Sequence, residues 1–166
     1  MMSLRVTILS LLLVSGVATA DDRDAIFGRW ASNNSIIEIG ETNGVLHATI
    51  VSILDPVYRE GEDGPVGAVR VDLHNPDAAL HSRMLIGMDL LDGYQFKDGK
   101  WQGNLYDPES GKTYRSQITL GSDGNLQMRG YVGVPMFGRT AVFNPVSSCS
   151  GAIPKMLALA NPPSSC

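Results

Sequence analysis

Apolar and polar residues alternate with a period of two in several segments between residues 26 and 143. In segment 114–120, Tyr114 and Ile118 fall on one face and polar residues occupy the other. Segment 125–132 repeats the pattern, with Leu126 and Met128 on its apolar face. This period is typical of β-strands that bury one side, so both segments are predicted to be strands.

Short polar segments that contain glycine separate the apolar ones, as at 43–44, 98–99 and 121–124. Strands joined so tightly pair as antiparallel neighbours. We expect one or two of the candidate strands to be merged or irregular, which leaves a β-meander of about eight or nine. The candidate strands lie near 26–32, 35–40, 45–54, 67–72, 84–91, 94–97, 101–106, 113–120, 125–132 and 137–143.

A meander of this length has two unpaired edges unless its first and last strands pair. Closure into a barrel removes both edges, and a barrel of eight strands has room for side chains or one small ligand. We therefore predict an all-β fold, an antiparallel up-and-down β-barrel of about eight or nine strands with one short helix.

Three segments depart from the strand pattern. Residues 55–67 are polar and predict a long loop. Segment 74–83 predicts the short helix, with Asn75 as N-cap, proline at the first helical position and Asp77 near the positive end of the helix dipole. Residues 146–166 form a proline-rich tail with at most one helical turn.

The N-terminal 20 residues have the features of a secretory signal peptide. Arg5 precedes an apolar stretch, 6–14, that is too short for a membrane span, and a small-residue cleavage pattern ends at Ala20. We expect cleavage after Ala20, a barrel domain over 21–145 and a periplasmic or secreted location. The two cysteines, Cys149 and Cys166, are expected to form a disulfide that closes the tail and adds about 3 kcal/mol.

The charge of the chain narrows its partners. The formal net charge is −4 at pH 7, and the sequence contains no stripe of basic residues. Neither nucleic acid nor an anionic membrane surface is therefore an expected partner. Gly111-Lys112-Thr113 matches the end of a phosphate-binding loop, but Tyr106 stands where that loop needs glycine and a strand follows instead of a helix. Residues from Asp107 to Gly111 instead have the chemistry of a hairpin turn.

Several motifs carry a family resemblance. WQGNLYDPESGKTY (101–114), GRW (28–30), DLHNPD (72–77), RGYVG (129–133) and FGRT (137–140) together resemble the bacterial secreted family catalogued as domain of unknown function 2147 (DUF2147). The resemblance covers residues 26–143 and implies a lipocalin-like barrel with a cavity, export and ligand binding, but no catalytic residues. The chain departs from the family pattern in two places: Phe143 lies where the last strand usually has tryptophan, and the cysteine-containing tail is additional.

Lipocalins also carry a Gly-x-Trp motif whose indole packs beneath an arginine from the end of the last strand. The resemblance implies that Gly28, Trp30 and Arg139 have these parts, with a structural role. The stacking of a guanidinium on the ring would contribute about 0.5–2 kcal/mol.

Candidate chemical groups have structural explanations. Asp72, His74, Asp77 and His81 are metal-ligand types, but a helix that begins at Asn75 separates the first two from the others. His47 lies in a strand, and Tyr106, Asp107 and Tyr114 flank one turn. We predict no catalytic residue, metal or cofactor, and structural roles for Asn75, Asp77, Asp107 and Gly111.

The function that remains is binding. We predict a protein that binds a small apolar or amphipathic ligand without catalysis. The alternative is a filled barrel that binds a cell-envelope protein through its 55–67 loop and tail, and an enzyme is the third hypothesis. Candidate cavity residues are Met84, Leu85, Met88, Trp101, Leu105, Tyr114, Ile118, Leu126, Met128 and Met136.

Overall fold

The computed structural model describes residues 23–160 and 162–166 of the 166-residue chain. The expected signal peptide and its cleavage after Ala20 lie outside the described residues. A single sheet of eight strands forms the body of the fold. Its strands are β1 (Gly28–Ala31), β2 (Ser35–Thr42), β3 (Val45–Ile53), β4 (Leu91–Lys97), β5 (Lys100–Asp107), β6 (Lys112–Leu120), β7 (Leu126–Tyr131) and β8 (Arg139–Pro145).

The sheet curves until its two halves meet. Its order is β3-β2-β1-β8-β7-β6-β5-β4, and every paired strand is antiparallel to its neighbour. The first strand pairs with the last, since Ala31 lies opposite Asn144. At the remaining seam, β3 meets the segment before β4 through backbone bonds such as Leu90 N–H to the Ala48 carbonyl at 3.0 Å. The predicted antiparallel up-and-down barrel is confirmed, with eight strands and a nearly closed wall.

The alternation predicted for β6 and β7 holds in the packed interior. Ile118 lies directly opposite Met128 in the register, and their exposed fractions are 0% and 2%. Leu126, two residues before Met128 and on the same face, is also fully buried. The interior of the barrel is therefore built from the period-two positions of its strands.

Two predicted strands, near 67–72 and 84–91, are instead extended segments of the long connection between β3 and β4. They form only single bridges, such as Val57 to Val69 and Val71 to Met84. The physical reason is local: the Tyr58 hydroxyl bonds both the N–H and the carbonyl of Val71, at 3.1 and 3.0 Å. A side chain thus occupies backbone groups that a strand would pair.

The helix predicted from Asn75 is only a 3-10 turn, Ala78–Leu80. Its N-cap is Asp77, whose carboxylate accepts from the Ala79 N–H at 3.0 Å. Asn75 accepts from the Asp77 N–H at 2.9 Å and so forms a turn that delays the start of the helix.

The tail packs against the outside of the barrel. Its helix α1 (Ile153–Leu159) is longer than the predicted single turn. Met156 is fully buried in a second apolar cluster with Ile36 and Val51, and the Ser52 hydroxyl donates to the Met156 carbonyl at 2.6 Å. The predicted disulfide between Cys149 and Cys166 is present, with Cα atoms 5.7 Å apart, and it joins the two ends of the tail.

Aromatic side chains fill one end of the barrel. Trp101 is 2% exposed and contacts the rings of Phe27 and Phe96 at centroid distances of 6.4 and 5.6 Å. The Arg23 guanidinium lies 4.8 Å from the Trp101 ring centroid, and the Trp101 indole N–H donates to the Arg23 carbonyl at 2.9 Å. Arg23 also pairs with Glu41 of β2. The segment before β1 therefore forms the floor of the barrel.

Trp30 and Arg139 do not form the stacked pair that the resemblance implied. Trp30 lies opposite Pro145, the last residue of β8, whereas Arg139 is the first. The six-residue offset along β8 corresponds to about 20 Å. Trp30 is buried inside the barrel and donates its indole N–H to the Ile26 carbonyl at 2.8 Å. The contact between an arginine and a tryptophan at the floor is instead formed by Arg23 and Trp101.

A buried carboxylate ties the long connection to the barrel. Asp72 is fully buried and accepts from the Tyr106 hydroxyl at 2.7 Å, from Asn75 at 2.7 Å and from Arg83 at 2.5 Å. Burial by itself raises the pKa of Asp72, but the three hydrogen bonds outweigh it and hold that pKa below its ordinary value. Because Tyr106 belongs to β5, this cluster fixes the connection against the wall.

The turn between β5 and β6 packs directly on the same connection. Gly111 has φ +66°, and a Cβ atom added there would lie 1.8 Å from the His74 carbonyl oxygen. Only glycine meets both demands, because the conformation is left-handed and the backbones touch. Two of the motifs noted in the sequence, 72–77 and 101–114, therefore meet in space.

A glycine in β5 provides a test of the interior packing. A Cβ at Gly103 would lie 2.4 Å from the ring of the buried Tyr94, whereas one at Gly40 would meet no atom within 4 Å. We expect Gly103→Ala to lower the free energy of unfolding by about 1–3 kcal/mol and Gly40→Ala to change it little. Urea unfolding of both variants checks this, and equal effects would contradict the packing.

The Asp72 cluster predicts a dependence of stability on pH. Because the folded-state pKa of Asp72 is lowered, its carboxylate stabilises the fold above the unfolded-state pKa of about 4, and the contribution is lost as pH falls through the folded-state pKa. We expect Asp72→Asn to lower the unfolding free energy by about 2 kcal/mol at neutral pH. The difference from wild type should shrink as the pH falls below about 4.

Urea unfolding over this pH range measures that difference. Asp77→Asn is the control, because asparagine caps a helical turn as well as aspartate does. A difference between wild type and Asp72→Asn that stayed constant with pH would show that the carboxylate charge is unimportant.

Candidate functional site: a cavity at the open end of the barrel

The end of the barrel opposite the Trp101 floor is open. Four connections surround it: 32–34, 54–90, 108–111 and 132–138. Because the strands run up and down, the connections between β1 and β2, β3 and β4, β5 and β6, and β7 and β8 all lie at this end. We call this end the mouth.

A cavity of about 800 Å³ lies in the mouth between β5 and β8. It opens to solvent and extends inward to Met128 and Phe143 of the buried core. A neighbouring cavity of about 410 Å³ continues towards β2 and β3 and shares Leu90 and Phe143 with it. The first is lined by Leu90, Leu105, Tyr106, Asp107, Pro108, Tyr114, Met128, Gly130, Tyr131, Val132, Phe137, Arg139, Thr140, Ala141 and Phe143.

The alternation of β8 decides which of its side chains enter the cavity. Phe143 is in the buried core, so Ala141 and Arg139, which are two and four residues earlier, share its inward face. Their partners on β7 are Met128 and Gly130. The small residues at Gly130 and Ala141 leave the upper interior unfilled.

The 132–138 connection forms an apolar rim. Val132, Met136 and Phe137 are 78%, 77% and 77% exposed. Arg129 holds this connection in place, because its guanidinium donates to the carbonyls of Pro135 at 2.7 Å and Met136 at 3.1 Å. The apolar lining of the cavity therefore continues to the surface on a connection that is tied to β7.

Arginines without an acidic partner gather at this side of the mouth. Of the eight arginines among residues 23–160, five have a carboxylate within 4.0 Å. The other three, Arg115, Arg129 and Arg139, lie on the adjacent strands β6, β7 and β8. Arg115 is paired with Tyr131 in the register and faces outward, whereas Arg139 faces the cavity. Three arginines without a carboxylate partner therefore lie on one side of the mouth, on β6 to β8.

The acidic and phenolic groups near the cavity are largely engaged elsewhere. Asp107 accepts from the Glu109 N–H at 3.1 Å and the Ser110 hydroxyl at 2.6 Å within its own turn. Tyr106 donates to Asp72, and burial, followed by that carboxylate, raises the pKa of Tyr106 to about 12. Burial likewise raises the pKa of Tyr94, which bonds Ser116 inside the barrel, to about 12. Neither tyrosine is therefore a base near neutral pH.

The cavity candidates from the sequence divide into three groups. Leu105, Tyr114 and Met128 line the cavity, and Leu85 lines its continuation. Met84 and Met136 are exposed, since both lie in connections where the period of two no longer fixes direction. Buried below the cavity, in the filled part of the barrel, are Met88, Trp101, Ile118 and Leu126.

Sequence reasoning missed several lining residues on β7 and β8. Gly130, Ala141 and Phe143 line the cavity, and Arg139, which the resemblance placed on the Trp30 ring, also lies there. A signal was available, because Arg139, Ala141 and Phe143 are spaced by two in the last predicted strand. The three residues differ in chemical type, so their spacing did not identify them as one face of the strand.

The side chains of metal-ligand type noted in the sequence each contact a different partner. Asp72 is occupied by its three donors, His74 lies 3.3 Å from Asp63, and His81 contacts the Asn75 carbonyl at 2.8 Å. Within 23–160 and 162–166, no three His, Cys, Asp or Glu side chains cluster in a way that could hold a metal ion. His47 pairs with Asp89 at 2.6 Å on the seam between β3 and β4.

Within the described residues, no helix has the length and apolar character needed to span a bilayer.

Comparisons with known proteins agree with this architecture. A search of curated proteins found no match. Among solved structures, the chain is similar to one described as "Protein HP1028 from the human pathogen Helicobacter pylori belongs to the lipocalin family". The TM-score is 0.58 and the identity 22%, over 72% of this chain and 82% of that one, so the likeness concerns the fold. Residues 28–144 match the family model described as "Uncharacterized protein conserved in bacteria (DUF2147)", and the chain belongs to that family.

Proposed function

We propose that the protein binds a small apolar or amphipathic molecule in the mouth cavity and catalyses no reaction. The observation that carries this proposal is the cavity of about 800 Å³ inside the open end of a barrel whose other end is filled. That volume lies within the range of about 300–1,000 Å³ usual for small-molecule sites.

The lining supports a ligand with an apolar body. Leu90, Leu105, Met128 and Phe143 form the inner part of the cavity, and methionine adapts its shape readily to a ligand. Below them the Trp101 floor closes the barrel, so entry is expected from the mouth. A ligand there would be held by burial of apolar surface, with polar groups near the entrance fixing its orientation.

The structural neighbour adds support at the level of fold only. That protein is described as a member of the lipocalin family, and barrels of eight strands can hold one small ligand. Fold alone does not establish function, so the proposal depends on the cavity itself.

We further propose that the protein acts outside the cytoplasm, in the periplasm or as a secreted protein. The disulfide between Cys149 and Cys166 is compatible with an oxidising compartment, and residues 1–20 have the sequence pattern of a signal peptide. The domain would then comprise 21–145, with 146–166 as a brace. The alternative of a protein-binding tail has less support, because Ile153, Met156 and Leu157 of α1 are already buried on the barrel.

A substitution that fills the cavity tests the binding function. Ala141→Trp places a large side chain on the inward face of β8, and Val142→Trp places the same side chain on the outward face, where Val142 is 49% exposed. We expect Ala141→Trp to weaken binding of the neutral dye Nile red at least about tenfold, with Val142→Trp close to wild type. Fluorescence titration measures both affinities, and the circular dichroism spectra check folding.

Native mass spectrometry of protein purified from its host provides a second test. A bound small molecule on the wild type that is lost in Ala141→Trp would support the proposal. Equal dye affinity in wild type and Ala141→Trp would contradict it.

A further inference from the structure

We propose that the ligand is an amphipathic anion, and that Arg139 binds its acidic head group while its apolar chain lies against Met128 and Phe143. This inference rests on the proposed binding function and specifies its ligand class. It starts from a juxtaposition in the mouth: a cationic side chain on the inward face of a strand whose next inward positions are apolar.

The direction of Arg139 follows from the register. Arg139 lies opposite Gly130, Ala141 opposite Met128 and Phe143 opposite Leu126, so all three side chains of β8 share the interior face. Glycine at 130 leaves open the space beside the guanidinium, since a Cβ there would lie no closer than 3.6 Å to Tyr114. The arginine therefore stands at the entrance of the cavity with room beside it.

The guanidinium of Arg139 is also uncommitted. Within 23–160 and 162–166 it makes no ion pair or hydrogen bond, whereas five of the other arginines have a carboxylate within 4.0 Å. Asp107, the carboxylate that also lines the cavity, is bonded within its own turn to the Glu109 N–H and the Ser110 hydroxyl. An entering anion would thus meet an exposed guanidinium whose five N–H donors bond no protein group among the described residues.

The neighbouring arginines strengthen the same preference. The Arg129 guanidinium donates to the Pro135 and Met136 carbonyls and to the Thr140 hydroxyl, but its charge has no carboxylate partner. Arg115 adds a further positive charge on the outer side of β6. A carboxylate, sulfate or phosphate head group would be attracted to the side of the mouth formed by β6 to β8, and a planar guanidinium suits bidentate binding of such groups.

A neutral ligand leaves this arrangement unexplained. Closing a neutral molecule over Arg139 would remove water from a charge and give nothing in return, which is unfavourable. An anion with a single apolar chain compensates the charge and uses the apolar depth of the cavity. The charged and apolar parts of the site therefore match the head group and the apolar chain of one amphipathic molecule.

The experiment compares an anion with its neutral analogue. Decanoate and decanol are titrated against Nile red bound to wild-type protein, to Arg139→Gln and to Arg115→Gln. The Arg115→Gln variant is the control, because it removes an outward arginine that likewise lacks a carboxylate partner. We expect Arg139→Gln to weaken decanoate about tenfold, or about 1.4 kcal/mol, and to change decanol less than about twofold. Arg115→Gln should leave decanol unchanged and affect decanoate far less than Arg139→Gln does. Added salt should weaken decanoate alone.

Several outcomes would overturn the inference. If Arg139→Gln weakened decanoate and decanol equally, the arginine would only shape the cavity. If decanol bound as tightly as decanoate to wild type, no anion would be recognised, although the binding function would survive. If neither probe displaced the dye and the dye itself did not bind, the proposed function would fail together with the inference.

A last arm separates a free anion from a membrane surface. Vesicles of phosphatidylglycerol are sedimented with wild type and Arg139→Gln. Binding of free decanoate without co-sedimentation supports the inference. Arginine-dependent co-sedimentation without decanoate binding would assign Arg139 to a lipid surface and overturn it.

Discussion

The pairing of β1 with β8 is the constraint on which the rest of the structure depends. It is short, with Trp30 opposite Pro145 and Ala31 opposite Asn144. At this pairing Trp30 lies on the interior face of the barrel, where it is buried, and Ala31 lies on the exterior face, where it contacts the tail. The chain leaves β8 directly into that tail, and α1 then packs on β1, β2 and β3 beside the closure. The tail stabilises the closed barrel from outside.

Closure gives the two ends of the barrel different properties. At the floor, Trp101 and its aromatic neighbours fill the full width, and Arg23 covers the ring. At the mouth, Gly130 and Ala141 stand where larger side chains would continue the core. A barrel of this size can be filled or hollow, and this one is filled at one end and hollow at the other. The contrast arises from residue size at inward positions and requires no change in strand geometry.

The sequence predicted the sheet better than the connections. Period-two patterns placed Ile118, Leu126 and Met128 on the buried face, because β6 and β7 each pair with a strand on both sides and turn one face to the core. The apolar residues of 67–72 and 84–91 have the same spacing, but they belong to an extended connection that is held by side chains such as Tyr58. Alternation reports an extended, half-buried segment and does not reveal whether a neighbouring strand is present.

The site was less predictable, since it depends on which end of a strand a residue occupies. Arg139 was expected to stack on Trp30, but the register of β8 places it at the mouth. Likewise Arg23, which covers Trp101, precedes the first strand and carries no periodic signal. The odd or even position of a residue along a strand determines whether its side chain points inward or outward. Its height along the barrel axis depends on the register between strands, which a single sequence does not contain.

The motifs that carry the family resemblance hold the mouth and also supply most of the residues that line its cavity. Asp72 and Asn75 bond Tyr106, and Gly111 packs on His74, so the long connection and the β5–β6 turn are fixed to each other. Met128, Ala141 and Phe143, which lie outside those motifs, complete the inner part of the cavity. The same motifs therefore supply both the contacts that fix the mouth and most of the residues around the cavity, Arg139 included. Substitutions at the few positions outside the motifs would change the depth of the cavity without disturbing the contacts that fix the mouth.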